Sequence, residues 1–237
     1  MTEAGPVLAT RTALHTISAH VLAHRRFAVS GRFGLRAGPG GIATPSFGVA
    51  PETIRISENA LVREVGGTST YVPLQGSTLK ELADFVDVDL DEPFSCGAAT
   101  PPLGPVGEPF EIVSAAATQI ADWFALAWLV LDRILVSLPG QSEFATIQLW
   151  PEHFDAATTV TLPSAEPVNL GFSPGDSLEN EPYVYVGPWS TQRPGDPGFW
   201  NVPFGAMRRQ SEVRTSPDAV EFCRQFLIEG LHLATSI

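Results

Sequence analysis

At 237 residues, with 44% apolar and 17% charged residues, the chain has the proportions of a globular protein able to bury a real core. Its net charge of −12 disfavours nucleic acid and anionic membranes, which are held by basic residues near phosphates, and suits a neutral, zwitterionic or cationic ligand. Acidity that merely keeps the protein soluble is the plainer account of the same number.

The amino terminus, MTEAGPVLATRT, lacks the basic start and apolar core of a secretory signal. Residues 10–28 read as a helix, with Leu14, Ile17, Val21 and Ala28 on one stripe. From RFGLR onward, the GPGG turn (38–41), IATPSFGV, TIRI, SEN, ALVREV, GGTS and TYVPL read as short strands joined by tight turns. Ser77 is the expected cap of a short helix whose core face is Leu79, Leu82, Ala83 and Val86. Residues 97–109, GAATPPLGPVGEP, exclude regular structure through their prolines and glycines.

A long helix is expected from Phe110 to Leu138, stopped at Pro139–Gly140. It is apolar almost all round, with Gln119, Asp122 and Arg133 on a narrow polar stripe. Its run WFALAWLVL, residues 123–131, is far shorter than the roughly 20 residues that span a bilayer. ATIQLW, FDAATTVTL, PVNLGFS and PYVYVGPW then read as four strands. A last helix is expected to open on Ser216, Pro217 and Asp218 and to bury Ala219, Phe222, Cys223, Phe226, Leu227 and Leu231. Strands in runs with helices set apart predict an α+β fold, mostly antiparallel sheet around a long central apolar helix. It reads as one compact domain; residues 97–109 would join the lobes 1–96 and 110–237 if it divides. Cys96 and Cys223 belong to no metal-ligand spacing, so reduced thiols and a cytoplasmic setting are expected.

Three motifs admit a chemical role and a plainer one. GFSPG (171–175) matches the pattern around a hydrolase serine, but the residue after Ser173 is Pro174, which has no N–H for an oxyanion hole. His20 and His24 share a helix face, yet Val21 stands where the zinc-protease pattern needs Glu, so a hydrogen-bonded boundary pair is the simpler account. Asp122, in the most apolar helix, is either a carboxylate paired to arginine or backbone, or a site acid.

The polar and aromatic residues crowd into the third quarter: LWPEHFD (149–155), VNLGFSPGD (168–176), EPYVYVGPW (181–189) and FWNVPFGA (199–206). If the strands pair as consecutive hairpins, their ends gather at one rim of a sheet, where binding groups collect. His153 is the candidate acid–base, with Asp155 and Asp176 as its orienters or metal ligands. Trp150, Glu152, Asn169, Tyr183, Trp189, Trp200 and Asn201 are the candidate ligand-binding residues, the tryptophans as walls for a sugar or an organic cation. Turn-fixing Asp and Asn and strand-end aromatics account for the same residues without a ligand.

Together these four segments, with GLRAGPGGIATP (34–45), resemble a family of uncharacterised proteins from high-GC bacteria, a domain of unknown function. The resemblance covers nearly the whole chain and implies no activity, cofactor or catalytic residue. The functional expectation is therefore a cytoplasmic small-molecule-binding protein or hydrolase-like enzyme with a site in residues 150–201. No motif indicates a cofactor. The alternative is a non-catalytic interaction or scaffold protein that meets a partner protein through its aromatic rim.

Overall fold

The computed structural model describes residues 4–37, 41–57, 59–138, 140, 142–163 and 165–235. The tip of the GPGG turn (38–40), residue 58 of the SEN turn and Pro139 at the expected helix stop lie outside them. The helices are α1 (Ala4–Ile17), continued by a π-helical segment Ser18–Ala23 into α2 (His24–Ser30), then α3 (Leu79–Phe85), α4 (Ser114–Ser137), α5 (Gln210–Thr215) and α6 (Ala219–Thr235). The strands are β1 (Ile42–Ala43), β2 (Glu52–Ser57), β3 (Ala60–Val65), β4 (Thr68–Pro73), β5 (Glu143–Phe144), β6 (Gln148–Trp150), β7 (Asp155–Thr161), β8 (Val168–Ser173), β9 (Tyr183–Pro188) and β10 (Ala206–Arg209). The fold is α+β, with two antiparallel sheets. No helix among the described residues is long and apolar enough to cross a membrane. The chain forms two compact units, Met1–Phe124 with Leu149–Phe154, and Ala125–Gln148 with Asp155–Ile237.

In the first unit the meander is ordered β1-β2-β3-β4. Alternation along β2 buries Glu52, Ile54 and Ile56, and Leu61 lies opposite Ile56 on β3. Gly66 and Gly67, both with left-handed backbone (φ 56° and 84°), form the two-residue turn that joins β3 to β4. Leu14, Ile17, Leu22, Leu79, Leu82 and Phe124 add to this core. The stripe Leu14–Ile17–Val21 is buried as its spacing predicts, but Ala28 is exposed. A π-helical turn takes more residues than an α-helical one, so the stripe shifts phase across Ser18–Ala23, all six of which are buried. The cap of α3 is Thr78 and not Ser77: Thr78 Oγ1 accepts the Glu81 N–H while the Glu81 carboxylate accepts the Thr78 N–H. The Ser77 hydroxyl instead donates to Pro73 O at 2.6 Å.

A charged network crosses this unit. Glu52, whose side chain is 6% exposed, receives Arg25 at 3.0 Å and Arg63 at 2.9 Å. Asp87 joins the same two arginines, at 2.7 Å from Arg63. Asp87 holds a left-handed φ of 55° just beyond α3.

In the second unit the sheet is ordered β10-β9-β8-β7-β5. Its register places Ala156, Thr158 and Val160, with Phe172, Leu170, Val184 and Val186, on one face. Helix α6 packs there; a side chain at Gly230 would collide with Val186 and Phe199, so glycine sets the closeness of helix to sheet. Of the six residues expected on the buried face of α6, Cys223, Phe226, Leu227 and Leu231 are buried, whereas Ala219 and Phe222, in its first turn, are only half-buried. Asp218, not Ser216, opens that helix: its Oδ1 accepts the Glu221 N–H at 3.0 Å. Ser216 instead ends α5. Gln119, Asp122 and Arg133 of α4 are all exposed, so the carboxylate expected in an apolar setting faces solvent. Both cysteines are free and buried, Cys96 in the first unit and Cys223 in the second.

Candidate functional site

LWPEHFD ends β6 and turns straight into β7. The turn closes with the Phe154 N–H on Trp150 O at 2.7 Å. Its surprise is Phe154, a buried aromatic with a left-handed φ of 55°. That conformation is costly for a bulky residue and persists because the ring is held by its surroundings. It stacks on His15 at 5.1 Å and meets Phe124 edge-on at 5.4 Å. Trp150 is half-buried. The Glu152 carboxylate lies directly against Gly97, where no side chain would fit. His153 Nε2 is 3.4 Å from Glu152 Oε1, and the imidazole side chain is 57% exposed. This end of the first unit therefore presents an accessible imidazole beside a partly sheltered carboxylate.

Three further imidazoles line the first helical stretch. His15 Nε2 meets Pro151 O at 2.9 Å and His20 Nε2 meets Pro101 O at 2.8 Å, while His24 stacks on Phe94 at 4.5 Å. His20 and His24 are buried more deeply than their position at the edge of the stripe suggests. Among the described residues no three His, Cys, Asp or Glu side chains converge as a metal-ligand set. Burial lowers the pKa of all three histidines; backbone acceptors oppose it at His15 and His20 and distant acids at His24. The unfolded chain thus takes up protons before the folded one does. Stability is expected to be complete above the ordinary histidine value near 6.5 and to fall as pH drops from there through the lowered folded values, by up to about 4 kcal/mol per pH unit if all three titrate together. Urea unfolding between pH 7.5 and 5 measures this, and His24→Phe should flatten the decline by removing one of the three.

The second unit holds a different constellation, on the sheet face turned away from α6. The register aligns Thr159, Asn169 and Gly187 in one row and Ala157, Gly171, Tyr185 and Met207 in the next. Ser173 and Tyr183 follow, with Asp155 one residue beyond the last β7–β8 pair. Gly171 is the key to the arrangement. The Tyr185 ring lies across it, 2.5 Å from where a Cβ would stand, and the hydroxyl donates to Asp155 Oδ2 on the far strand. Phe204 packs edge-on against that ring at 5.7 Å. Beside it the Tyr183 hydroxyl donates to Asp176 Oδ2 at 2.6 Å. Asp176 Oδ1 also accepts the N–H groups of Leu178 and Glu179, fixing its own turn. Burial first, and then the adjacent carboxylates, push both tyrosine hydroxyls well above their ordinary pKa. They remain protonated donors across the physiological range. Ser173 is buried, and its Oγ accepts the Gly175 N–H at 3.1 Å.

The remaining candidates divide between this face and its turns. Asn169 Oδ1 accepts from Thr159 Oγ1 at 2.8 Å and from Trp189 Nε1 at 3.1 Å. Trp189 itself is 62% exposed. Trp200 donates to Pro194 O at 2.9 Å and receives the Arg193 guanidinium over its ring at 5.6 Å. Asn201 pairs with both main-chain groups of Met207, capping the outer edge of β10 as a further strand would. Asp155, Asp176, Asn169, Tyr183 and Trp189 thus share one side of the second sheet, whereas Trp200 and Asn201 brace its last connection. Tyr185 and Gly171 are the residues that sequence reading passed over. Their signal was present in the period-two alternation of β8 and β9, but needs the strand register to be read. No known family model, curated protein or solved structure matches the chain.

Proposed function

We propose that the chain is a small-molecule-binding protein whose ligand meets the polar face of the second sheet. The observation that carries the reading is the Tyr185 hydroxyl held on Asp155, its ring lying over Gly171. Apolar side chains would pack that face without desolvating a carboxylate, and local choices of this kind, against the interest of packing, gather at working sites. Two carboxylates, two protonated tyrosines and the Thr159–Asn169 pair suit a neutral or cationic group rich in hydrogen-bond donors, in keeping with the acidic chain. The hydrolase-like version of the reading belongs to the first unit by itself, where the exposed His153 beside Glu152 acts as acid–base. A cytoplasmic setting fits the two free thiols.

A second reading rests on Trp189 and Leu178, exposed at 62% and 51%, as contacts for a partner protein.

The test is a thermal-shift screen of the purified protein against amines, sugars, nucleotides, divalent metals and EDTA. A ligand at about 100 times its Kd stabilises by about 2.7 kcal/mol. The shift should be present in wild type and lost in Tyr185→Phe. Retention of binding with loss of turnover in His153→Ala supports the hydrolytic version. Equal shifts in wild type and Tyr185→Phe would overturn the site. A co-purifying protein lost in Trp189→Ala would favour the second reading.

A further inference from the structure

Among the described residues four sheet edges end, and three of them are short or covered. β1 and β5 are two residues long, and Arg36 bridges Ala43 along β1. β10 is covered by Asn201. The fourth, β4, is six residues, Thr68–Pro73, and lies at the end of its sheet. Its sequence TSTYVP has no charge and no glycine, and only Val72 is less than exposed. Proteins ordinarily blunt such an edge with lysine, a bulge or a covering loop.

The hydrogen-bond phase of β4 is set by its hairpin. The two-residue turn makes Val65 and Thr68 a bonded pair, and Leu74 N–H on Asn59 O at 2.7 Å continues the same phase. Thr68, Thr70 and Val72 therefore spend their main-chain groups on β3. Ser69 and Tyr71 direct theirs outward, and so does Pro73, whose missing N–H costs the ladder nothing there. Tyr71 is 75% exposed.

We propose that β4 pairs antiparallel with β4 of a second copy of this chain, joining two four-stranded sheets into one of eight across a two-fold axis at Thr70. Ser69 of each copy then faces Tyr71 of the other, and four main-chain hydrogen bonds form from groups that already point outward. Each tyrosine ring lies across the small Ser69 of the other copy towards Glu64, which stands opposite Ser69 on β3. The second sheet shows that this packing is within the fold's means, Tyr185 crossing Gly171 to Asp155 in the same way. A register one step away sets Tyr71 against Tyr71 and Ser69 against a proline with no N–H. Charge selects the edge too: two copies each at −12 repel, and β4 is the long edge that brings no acid of its own strand to the seam. Two-fold pairing of identical patches is the commonest route to a closed assembly.

Sedimentation equilibrium of the whole chain, loaded from about 1 to about 200 µM, tests this. Wild type should pass from monomer to dimer within that range. Ser69→Pro removes one outward N–H and leaves the β3 bonds intact, and Tyr71→Glu sets a carboxylate from each copy against Glu64 of the other. Each should weaken the dimer at least about tenfold, a change of about 1.4 kcal/mol, with circular dichroism and Tm close to wild type. A protein that stays monomeric at 200 µM overturns the proposal, as does a dimer whose constant neither variant moves.

Discussion

Glu52→Ala is expected to lower the unfolding free energy by about 3–5 kcal/mol, the range for removing one partner of a buried ion pair. The carboxylate is 6% exposed and its arginines 18% and 17%, so solvent is poorly placed to replace it. Arg25 and Arg63 come from α2 and β3, and both lean on one glutamate from β2. Asp87 remains after the substitution, close to Arg63 at 2.7 Å but 3.7 Å from Arg25, and at 64% exposure it screens only part of the loss. Urea denaturation at pH 7.5 gives the number. A loss below about 1 kcal/mol would place the network among surface ion pairs in its energetics.

Gly171→Ala is the second large effect, about 3 kcal/mol. The backbone conformation there asks for no glycine; the Tyr185 ring does. An added methyl would stand 2.5 Å from the ring's Cζ and Oη, and an aromatic ring pinned by Phe204 has little freedom to yield. Overpacking of this kind costs about 1–3 kcal/mol, and losing the hydrogen bond to Asp155 about 1.5–3 more at its upper range, partly shared between the two. A double-mutant cycle separates the causes. In a Tyr185→Val background the same methyl should cost less than about 1 kcal/mol, giving a coupling of about 2 kcal/mol. An unchanged cost in both backgrounds would mean that the ring does not set the glycine.

Strand periodicity and turn residues exposed much of this architecture in advance. The GG hairpin, the alternation of β2 and the apolar stripes of α1 and α6 are local patterns, and LWPEHFD announced itself as a strand, a turn and a strand. β10 and α5 were hidden because MRR and QSEVRT have neither a long apolar period nor a strong cap. Asp122 misled because the composition of α4 is apolar, whereas a helix needs only one solvent-facing stripe to keep a carboxylate wet. His153, expected beside Asp155 and Asp176, has Glu152 as its neighbouring carboxylate in the first unit. That Asp155, Asp176 and Tyr183 come to one side of the second sheet and its turns was legible. What joins them, a tyrosine lying across a glycine one strand away, depends on register, and register is a long-range property that one strand's sequence does not carry.

The two buried thiols give the protein a chemical readout of its own opening. Cys223 is pushed up to about 12 by burial, and Cys96 is raised by burial too, so neither is an appreciable thiolate while its surroundings are closed. Modification by an aromatic disulfide reagent then proceeds only through fluctuations that uncover each sulfur. One sulfur lies in each unit, so a single time course, resolved by peptide mass, yields two independent opening free energies. Conditions that loosen one half of the chain ahead of the other would show as one cysteine labelling early.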